Sequence, residues 1–202
     1  MARQTPVNPT IQTYDRIAAE FAQPTWHIRL ERALDVFARA LIPAARVLDL
    51  GCGPGRDLAA LRRRGYRASG ADLSLGMLRE ARARVGGDLM RCDMCALPLV
   101  SGAFDGVWLC AALLHLPRAD APRALAEVRR ILRAAGALYV AVQQGEGECW
   151  DESRGTRLFT YYQPEELGTV VRAAGFAVQA AWLSDDTARA HVKWLNLIAL
   201  AE

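Results

Sequence analysis

Three aspartates stand at the ends of short apolar runs, where a carboxylate can bind a sugar or a base. Asp49 lies in the first run, and Asp72 and Asp93 follow the second and third. The glycine-rich turn Gly51–Gly55 comes directly after Asp49, and glycines without a Cβ atom let a ligand approach the backbone. Asp72 stands 17 residues after this turn, close to the spacing of about 20 at which a carboxylate accepts hydrogen bonds from ribose hydroxyls. The pattern predicts a nucleoside site, with Asp93 placed to accept from the amino group of a purine.

Each of these signals also has a simpler interpretation. Many turns are rich in glycine for steric reasons alone, so the turn by itself is weak evidence. An aspartate after a strand often caps the next helix, although Ser74 is the better candidate for that cap. The agreement of three acids at three successive strand ends favours the ligand site.

The elements that must position these residues alternate between short apolar runs and longer helical segments. Such alternation is typical of a parallel sheet with helices between its strands. We predict strands at 47–50, 66–71, 88–92, 104–110, 137–142, 176–183 and 193–200, the last two forming a hairpin. We predict helices at 11–21, from Pro24 to Leu41, and at 56–64, 74–85, 120–132 and 163–175. A length of 202 residues suits one domain, with residues 1–45 preceding a core at 46–202.

Five segments within residues 45–145 resemble, in order, the motifs of class I S-adenosylmethionine-dependent methyltransferases. They are Val47–Gly55, Gly70–Ser74, Arg91–Met94, Phe104–Leu109 and Ile131–Gly136. An ordered set of motifs is far more specific than any one of them. The resemblance implies an α/β fold: a doubly wound, mostly parallel sheet of seven strands with an antiparallel C-terminal strand and helices on both faces. The segment Tyr14–Ala18 resembles the lid of small-molecule members, so residues 1–45 would be N-terminal lid helices.

The resemblance also implies the cofactor, S-adenosylmethionine, and its product, S-adenosylhomocysteine. Carried over by motif, the methionine end would meet the glycine turn and Asp49, the ribose Asp72, and the adenine Asp93 with its neighbours. Cys110 would face the sulfonium, and Tyr14 would either cover the cofactor or only pack the lid helix. The implied cofactor-binding residues are Tyr14, Asp49, Gly51, Cys52, Gly53, Asp72, Leu73, Met77, Asp93, Met94 and Cys110.

His115 is the candidate catalytic base, since an imidazole accepts a proton near neutral pH. The alternative is a histidine bonded to a backbone carbonyl. We expect a small-molecule acceptor, because the segment after the fourth strand lacks the Asn-Pro-Pro-Tyr type of sequence used on nucleic-acid bases. Its predicted contacts are Trp26, His27, Trp150, Arg157 and Tyr161, although Phe159 and Tyr161 can equally be strand residues packed on the sheet.

Composition bounds the setting of this chemistry. A net charge of +3 does not make a surface that follows phosphates, so we expect no nucleic-acid partner. Five cysteines are an odd number and favour a reducing compartment. Met1–Asn8 has no apolar stretch of a signal peptide, and no run approaches the ~20 apolar residues of a membrane span. We therefore expect a soluble cytoplasmic protein, monomer or homodimer, with no membrane partner.

Particular residues bear on two further interpretations, and a third depends on the motifs as a whole. Cys92 and Cys95 have C-x-x-C spacing but no second pair, so we expect no metal site. Arg56 stands where the last glycine of a dinucleotide motif would lie, which disfavours a nicotinamide-dependent oxidoreductase. A cofactor-binding sensor without transferase activity would carry the same motifs and stays open.

Overall fold

Seven strands form one sheet in the computed structural model, which describes residues 8–202. The strands of the chain are β1 (Arg46–Leu50), β2 (Arg67–Asp72), β3 (Leu89–Arg91), β4 (Phe104–Cys110), β5 (Leu132–Gln143), β6 (Glu148–Asp151), β7 (Arg157–Thr160), β8 (Phe176–Asp185) and β9 (Lys193–Ala201). The helices are α1 (Pro9–Thr25), α2 (Glu31–Ala38), α3 (Arg56–Arg63), α4 (Leu75–Val85), α5 (Ala121–Ile131) and α6 (Pro164–Ala173).

The order across the sheet is β3-β2-β1-β4-β5-β9-β8, while β6 and β7 form a separate ribbon. Strand β9 runs antiparallel to both neighbours, and the pairs from β3 to β5 are parallel. The predicted α/β fold, with its antiparallel strand near the C-terminus, is confirmed. The chain winds outward from β1 in one direction and resumes at β4 in the other. A doubly wound sheet binds its ligands at such a switch point, outside the carboxyl ends of the strands.

Helix α1 is longer than predicted, and the prediction that Pro24 starts a second helix is wrong. The side chain of Asn8 caps α1 by accepting a hydrogen bond from the Thr10 amide at 3.0 Å. Pro24 lies in the last turn of the same helix, where buried Ala22 keeps the turn packed. The second helix begins only at Glu31. Residues 1–7 of the predicted lid and of the Met1–Asn8 segment lie outside the described residues.

Strand β5 also begins earlier than predicted. We expected Gly136 to release the chain into a strand at 137–142, but the strand starts at Leu132. Leu132 is buried and pairs with Phe104, and the register then shifts before Gly106 pairs with Ala137. Burial of Leu132 thus draws the segment before Gly136 into the sheet.

The ribbon of β6 and β7 was not predicted, and it supports one side of α1. Strand β7 packs beside α1, where the Leu158 amide donates to Thr10 Oγ1 at 2.9 Å. One turn further along the helix, Thr13 Oγ1 donates to the Thr156 carbonyl at 3.0 Å. Asp15 holds the opposite side of α1, accepting from Ser74 Oγ at 2.6 Å and the Gly76 amide at 2.8 Å. Helix α1 is therefore fixed between the ribbon and the start of α4.

Apolar side chains pack on both faces of the sheet. At its centre the rings of Trp108 and Tyr139 are fully buried and stack 3.9 Å apart. Within residues 8–202, no helix combines the length and apolar character needed to cross a membrane.

Candidate active site

A cavity opens at the carboxyl ends of β1, β2 and β4, with residues of α1 on its opposite wall. The cavity encloses about 1080 Å³, with the open space at its mouth included. Every residue that the resemblance assigned to the cofactor lines this cavity, and so does His115. The carboxylates of Asp49, Asp72 and Asp93 thus meet at one site although 44 residues separate the first from the last.

The glycine turn needs its glycines for two different reasons. Gly51 has a φ of +74°, and a Cβ atom there would lie 2.3 Å from the Cβ of Ala112. Gly53 has a φ of +52° but no heavy atom near its missing Cβ, so the space beside it belongs to the cavity. Gly55, in the left-handed conformation, precedes α3. The turn therefore leaves its backbone open to a ligand.

Asp72 ties the glycine turn to α4. Its Oδ2 accepts from the Gly53 amide and its Oδ1 from the Ser74 amide, both at 2.8 Å. Burial raises the pKa of Asp72, and these amides partly offset the effect. A carboxylate oxygen can accept two hydrogen bonds, and each oxygen of Asp72 accepts one from these amides. Asp72 can therefore still accept hydrogen bonds from ribose hydroxyls. The predicted cap of α4 is confirmed, since Ser74 Oγ accepts from the Met77 amide at 3.2 Å.

Asp49 carries an unsatisfied atom. The residue is 2% exposed, and its Oδ2 is buried without a hydrogen-bond partner. Burial raises the pKa of Asp49 well above its usual range, Asp57 raises it further, and Arg56 opposes both. A buried acceptor without a partner is rare and costly. An ammonium group of a ligand would satisfy it.

Arg56 and Asp57 form an ion pair at the start of α3 that was missed in the sequence analysis. Nε and Nη2 of Arg56 lie 2.7 and 2.8 Å from the two carboxylate oxygens of Asp57. The Trp108 indole also donates to Asp57, at 3.0 Å. Burial raises the pKa of Asp57, but Arg56 and the hydrogen bonds from Trp108 and Cys110 together more than offset it, so the pKa lies below its usual value. The available signal was two opposite charges directly after the glycine turn.

Asp93 and three cysteines, of which Cys92 was not predicted as a contact, add further groups to the cavity. Asp93 is exposed at the rim, where one oxygen accepts from the Cys95 amide at 2.8 Å. Cys52, Cys92 and Cys110 line the cavity as free thiols, and burial raises the pKa of Cys92 to about 11. Among residues 8–202, no cluster of His, Cys, Asp or Glu has the composition of a metal site.

His115 uses both ring nitrogens. Its Nδ1 lies 2.7 Å from the Leu158 carbonyl, which only accepts, so Nδ1 carries the hydrogen. Its Nε2 then accepts from the Tyr14 hydroxyl, also at 2.7 Å. Burial lowers the pKa of His115 to about 4, Arg157 contributes in the same direction, and the ring is neutral at pH 7. The carbonyl-bonded alternative describes this geometry, and the ring still lines the cavity.

Tyr14 has the position expected for both of its predicted roles, which were to cover the cofactor and to pack the lid helix. Its ring packs edge-on against Phe21 at 5.5 Å between centroids, as a lid-packing residue does. Its hydroxyl bonds to His115, and the residue lines the cavity. Burial raises the pKa of Tyr14, which keeps the phenol protonated.

The predicted acceptor contacts do not line the cavity. Trp26 lies under the Arg84 guanidinium beside a second cavity, His27 is exposed, and Trp150 is 53% exposed on the ribbon. Arg157 is buried and paired with Asp151, and the Tyr161 hydroxyl contacts Cys149 Sγ at 3.4 Å. Trp26 and His27 follow the end of α1, and the other three residues lie on or next to the ribbon, which packs beside α1.

The wall opposite the three acids is formed by residues that the sequence analysis did not assign to the site. They are Thr10, Ile11, Phe21 and Thr25 on α1, with Leu116. The spacing of Ile11, Tyr14 and Phe21 indicated an apolar face of a helix. Such a face packs against a protein core more often than it lines a binding site, so these positions did not point to a ligand. Fold and cavity together define a Rossmann-like domain with a cavity at its switch point, where such domains bind nucleotide-like cofactors.

Comparisons with known proteins agree with that class. Residues 47–136 match a family model described as a methyltransferase domain. The chain is 37% identical over 130 residues to malonyl-[acyl-carrier protein] O-methyltransferase of Enterobacter lignolyticus, covering 62% of this chain and 49% of that protein. It is 32% identical over 139 residues to the 18S rRNA (guanine-N(7))-methyltransferase of Schizosaccharomyces pombe, covering 65% and 48%. The chain spans about half the length of these relatives.

A solved structure extends the likeness to nearly the whole fold. It is 1,6-didemethyltoxoflavin-N1-methyltransferase of Burkholderia thailandensis with bound 1,6-didemethyltoxoflavin and S-adenosylhomocysteine. The TM-score is 0.77 at 22% identity, covering 95% of this chain and 87% of that one. Residues 47–136 therefore contain the methyltransferase domain that the motifs predicted, and the chain shares its fold with this solved methyltransferase.

Proposed function

We propose that the chain binds S-adenosylmethionine in the cavity and transfers its methyl group to a small-molecule acceptor. The unpaired Oδ2 of Asp49 carries this proposal. A buried, unsatisfied carboxylate oxygen beside a glycine turn fits an α-ammonium group. Asp72 and Asp93 on the same wall fit a ribose and a purine amino group.

The bound cofactor would supply a methyl group already activated by a sulfonium, so no covalent intermediate with the protein is needed. The chain has to hold the cofactor, align the acceptor and exclude water. Asp49, Asp72 and Asp93 would perform the first task. Helix α1, fixed on both sides, would perform the last.

His115 would act through Tyr14. Both ring nitrogens are bonded, so the polar group next to an acceptor is the Tyr14 hydroxyl. A proton that leaves the acceptor would pass to Tyr14 Oη as Tyr14 passes its own proton to Nε2 of His115. Because the pKa of His115 is lowered to about 4, the main role proposed for this residue is to orient Tyr14.

The wall formed by α1 supports a small and uncharged acceptor. Its residues Thr10, Ile11, Phe21 and Thr25 carry no charge, so a phosphate would find no partner there. This argues against a nucleic-acid acceptor, although one relative named above acts on RNA. A cytoplasmic protein that works as a monomer or homodimer remains part of the proposal.

Calorimetry followed by a product assay tests the proposal. Titration with S-adenosylmethionine is expected to release or absorb heat with one site per chain, and Asp49→Asn is expected to weaken binding at least tenfold. Pools of small-molecule acceptors should then yield S-adenosylhomocysteine. No binding by the wild type would refute the proposal, and binding without turnover on any pool would favour a cofactor-binding sensor.

A further inference from the structure

We propose that Arg56 is the residue that binds the α-carboxylate of the cofactor, so that Arg56 and Asp49 together select an amino-acid zwitterion. This inference rests on the proposed function and deepens it. Sequence motifs assign the amino-acid end to the glycine turn and Asp49 only. The geometry points to Arg56 as the second charge.

The guanidinium of Arg56 is held in one orientation with donors to spare. Asp57 engages Nε and Nη2, and the Trp108 indole holds Asp57 in turn. The Arg56 side chain is only 19% exposed and lines the cavity. No hydrogen bond of Nη1 is found within the described residues, so its two N–H groups remain available. A guanidinium fixed in advance binds a carboxylate with little loss of side-chain entropy.

Arg56 and Asp49 lie near each other without being paired. Arg56 acts on the pKa of Asp49, yet the two side chains form no ion pair in the described structure. Asp49 offers a free acceptor atom, and Arg56 offers free donors. Opposite charges on one wall, each with unused bonding capacity, match the ammonium and carboxylate of one amino-acid group.

Among the side chains of the cavity, a single one attracts an anion by its charge. Four aspartates line it: Asp49, Asp57, Asp72 and Asp93. Among the described lining residues, Arg56 is the single cation, because His115 is neutral. A carboxylate placed anywhere else in the cavity would face like charges or uncharged groups.

The test compares two ligands that differ by one carboxylate. S-Adenosylmethionine and decarboxylated S-adenosylmethionine share the adenosyl group, the sulfonium and the amine. The wild type is expected to bind S-adenosylmethionine about 10- to 100-fold more tightly, the usual range for a charge-assisted hydrogen bond. Equal affinities would overturn the inference and leave the proposed function intact. Failure to bind either ligand would instead refute the proposed function.

Variants then assign the preference to Arg56. The double variant Arg56→Gln/Asp57→Asn removes both charges, so no buried charge is left unpaired, and it is expected to bind the two ligands equally. If this variant does not fold by circular dichroism, Arg56→Lys keeps a cation for Asp57 but lacks Nη1, and the preference is expected to fall at least threefold. A wild-type preference in either folded variant would overturn the inference.

Arg29 and Arg63 provide matched controls. Both line the second cavity, on the far side of the Arg56–Asp57 pair, and neither lines the first. Arg29→Gln and Arg63→Gln are expected to keep the wild-type preference. Loss of the preference in one of these variants would assign the carboxylate to that arginine and overturn the assignment to Arg56.

Discussion

The Tyr14 hydroxyl lies 2.7 Å from Nε2 of His115, and this contact joins α1 to the segment after β4 across 101 residues of sequence. The Leu158 carbonyl fixes the tautomer of the histidine from the other side. The tyrosine hydrogen therefore points to His115. Arg157 acts on the same hydroxyl and opposes the effect of burial on the pKa of Tyr14, and Tyr14 lines the cavity.

Removal of the Tyr14 hydroxyl should separate binding from turnover. Tyr14→Phe keeps the ring packed against Phe21 but removes the bond to His115. We expect turnover to fall at least tenfold, because a group that takes part in proton transfer typically contributes about 100-fold or more. The affinity for S-adenosylhomocysteine, measured by calorimetry, should change less than threefold. Full turnover in Tyr14→Phe would restrict the residue to packing.

His115 should make the folded state sensitive to acid. Its pKa is about 4 in the folded protein against 6.5 as the ordinary value, so between these values the unfolded chain binds more protons. The contribution of neutral His115 to the free energy of unfolding is therefore complete above pH 6.5, and it is lost as pH falls through about 4. Urea unfolding at pH 7, 5.5 and 4 should show a shallower decline for His115→Gln than for the wild type. The exposed His27→Gln variant should follow the wild type, and identical slopes for all three proteins would contradict the prediction.

Asp49→Asn should stabilise the protein while it weakens cofactor binding. Because the pKa of Asp49 is raised in the folded protein, ionisation of Asp49 opposes folding. The stability that protonated Asp49 contributes is therefore complete below the ordinary pKa of an aspartate. It is lost as pH rises through the pKa of Asp49 in the folded state. We expect a gain of about 1 kcal/mol at pH 7, because the amide carries no charge that burial would penalise. Thermal unfolding without ligand measures it. A destabilised Asp49→Asn variant would mean that the carboxylate has a structural partner.

Gly51 and Gly53 of the turn should respond differently to substitution by alanine. Gly51→Ala brings a Cβ within 2.3 Å of another and should destabilise the protein by about 2 kcal/mol or more, whether or not ligand is present. In Gly53→Ala the new methyl group would meet no atom of the protein. The free energy of unfolding should then fall by about 1 kcal/mol, because of the positive φ alone. The methyl group would instead occupy part of the cavity that we assign to the cofactor. Calorimetry should therefore show a loss of cofactor affinity for Gly53→Ala. Gly102→Ala, with a φ of +64° and open space at the surface, controls for the backbone cost.

Sequence alone determined the sheet and the acidic wall of the cavity. The seven strands of the sheet were predicted to within five residues, as in β1 followed by Gly51–Gly55. Parallel strands bring their carboxyl ends to one edge, so Asp49, Asp72 and Asp93 were bound to meet once the strands were identified.

Tertiary structure decided the opposite wall and the partners of the buried charges. Local pattern showed a stripe on α1, but only its docking between the ribbon and α4 turned Tyr14 and Phe21 towards the cavity. The Trp108 indole that holds Asp57, and with it Arg56, comes from 51 residues further along the chain. Such contacts depend on which surfaces are buried together, and no local periodicity records them. Local propensities therefore predicted the ends of the strands. Contacts between distant segments determined the wall formed by α1 and the orientation of the Arg56–Asp57 pair.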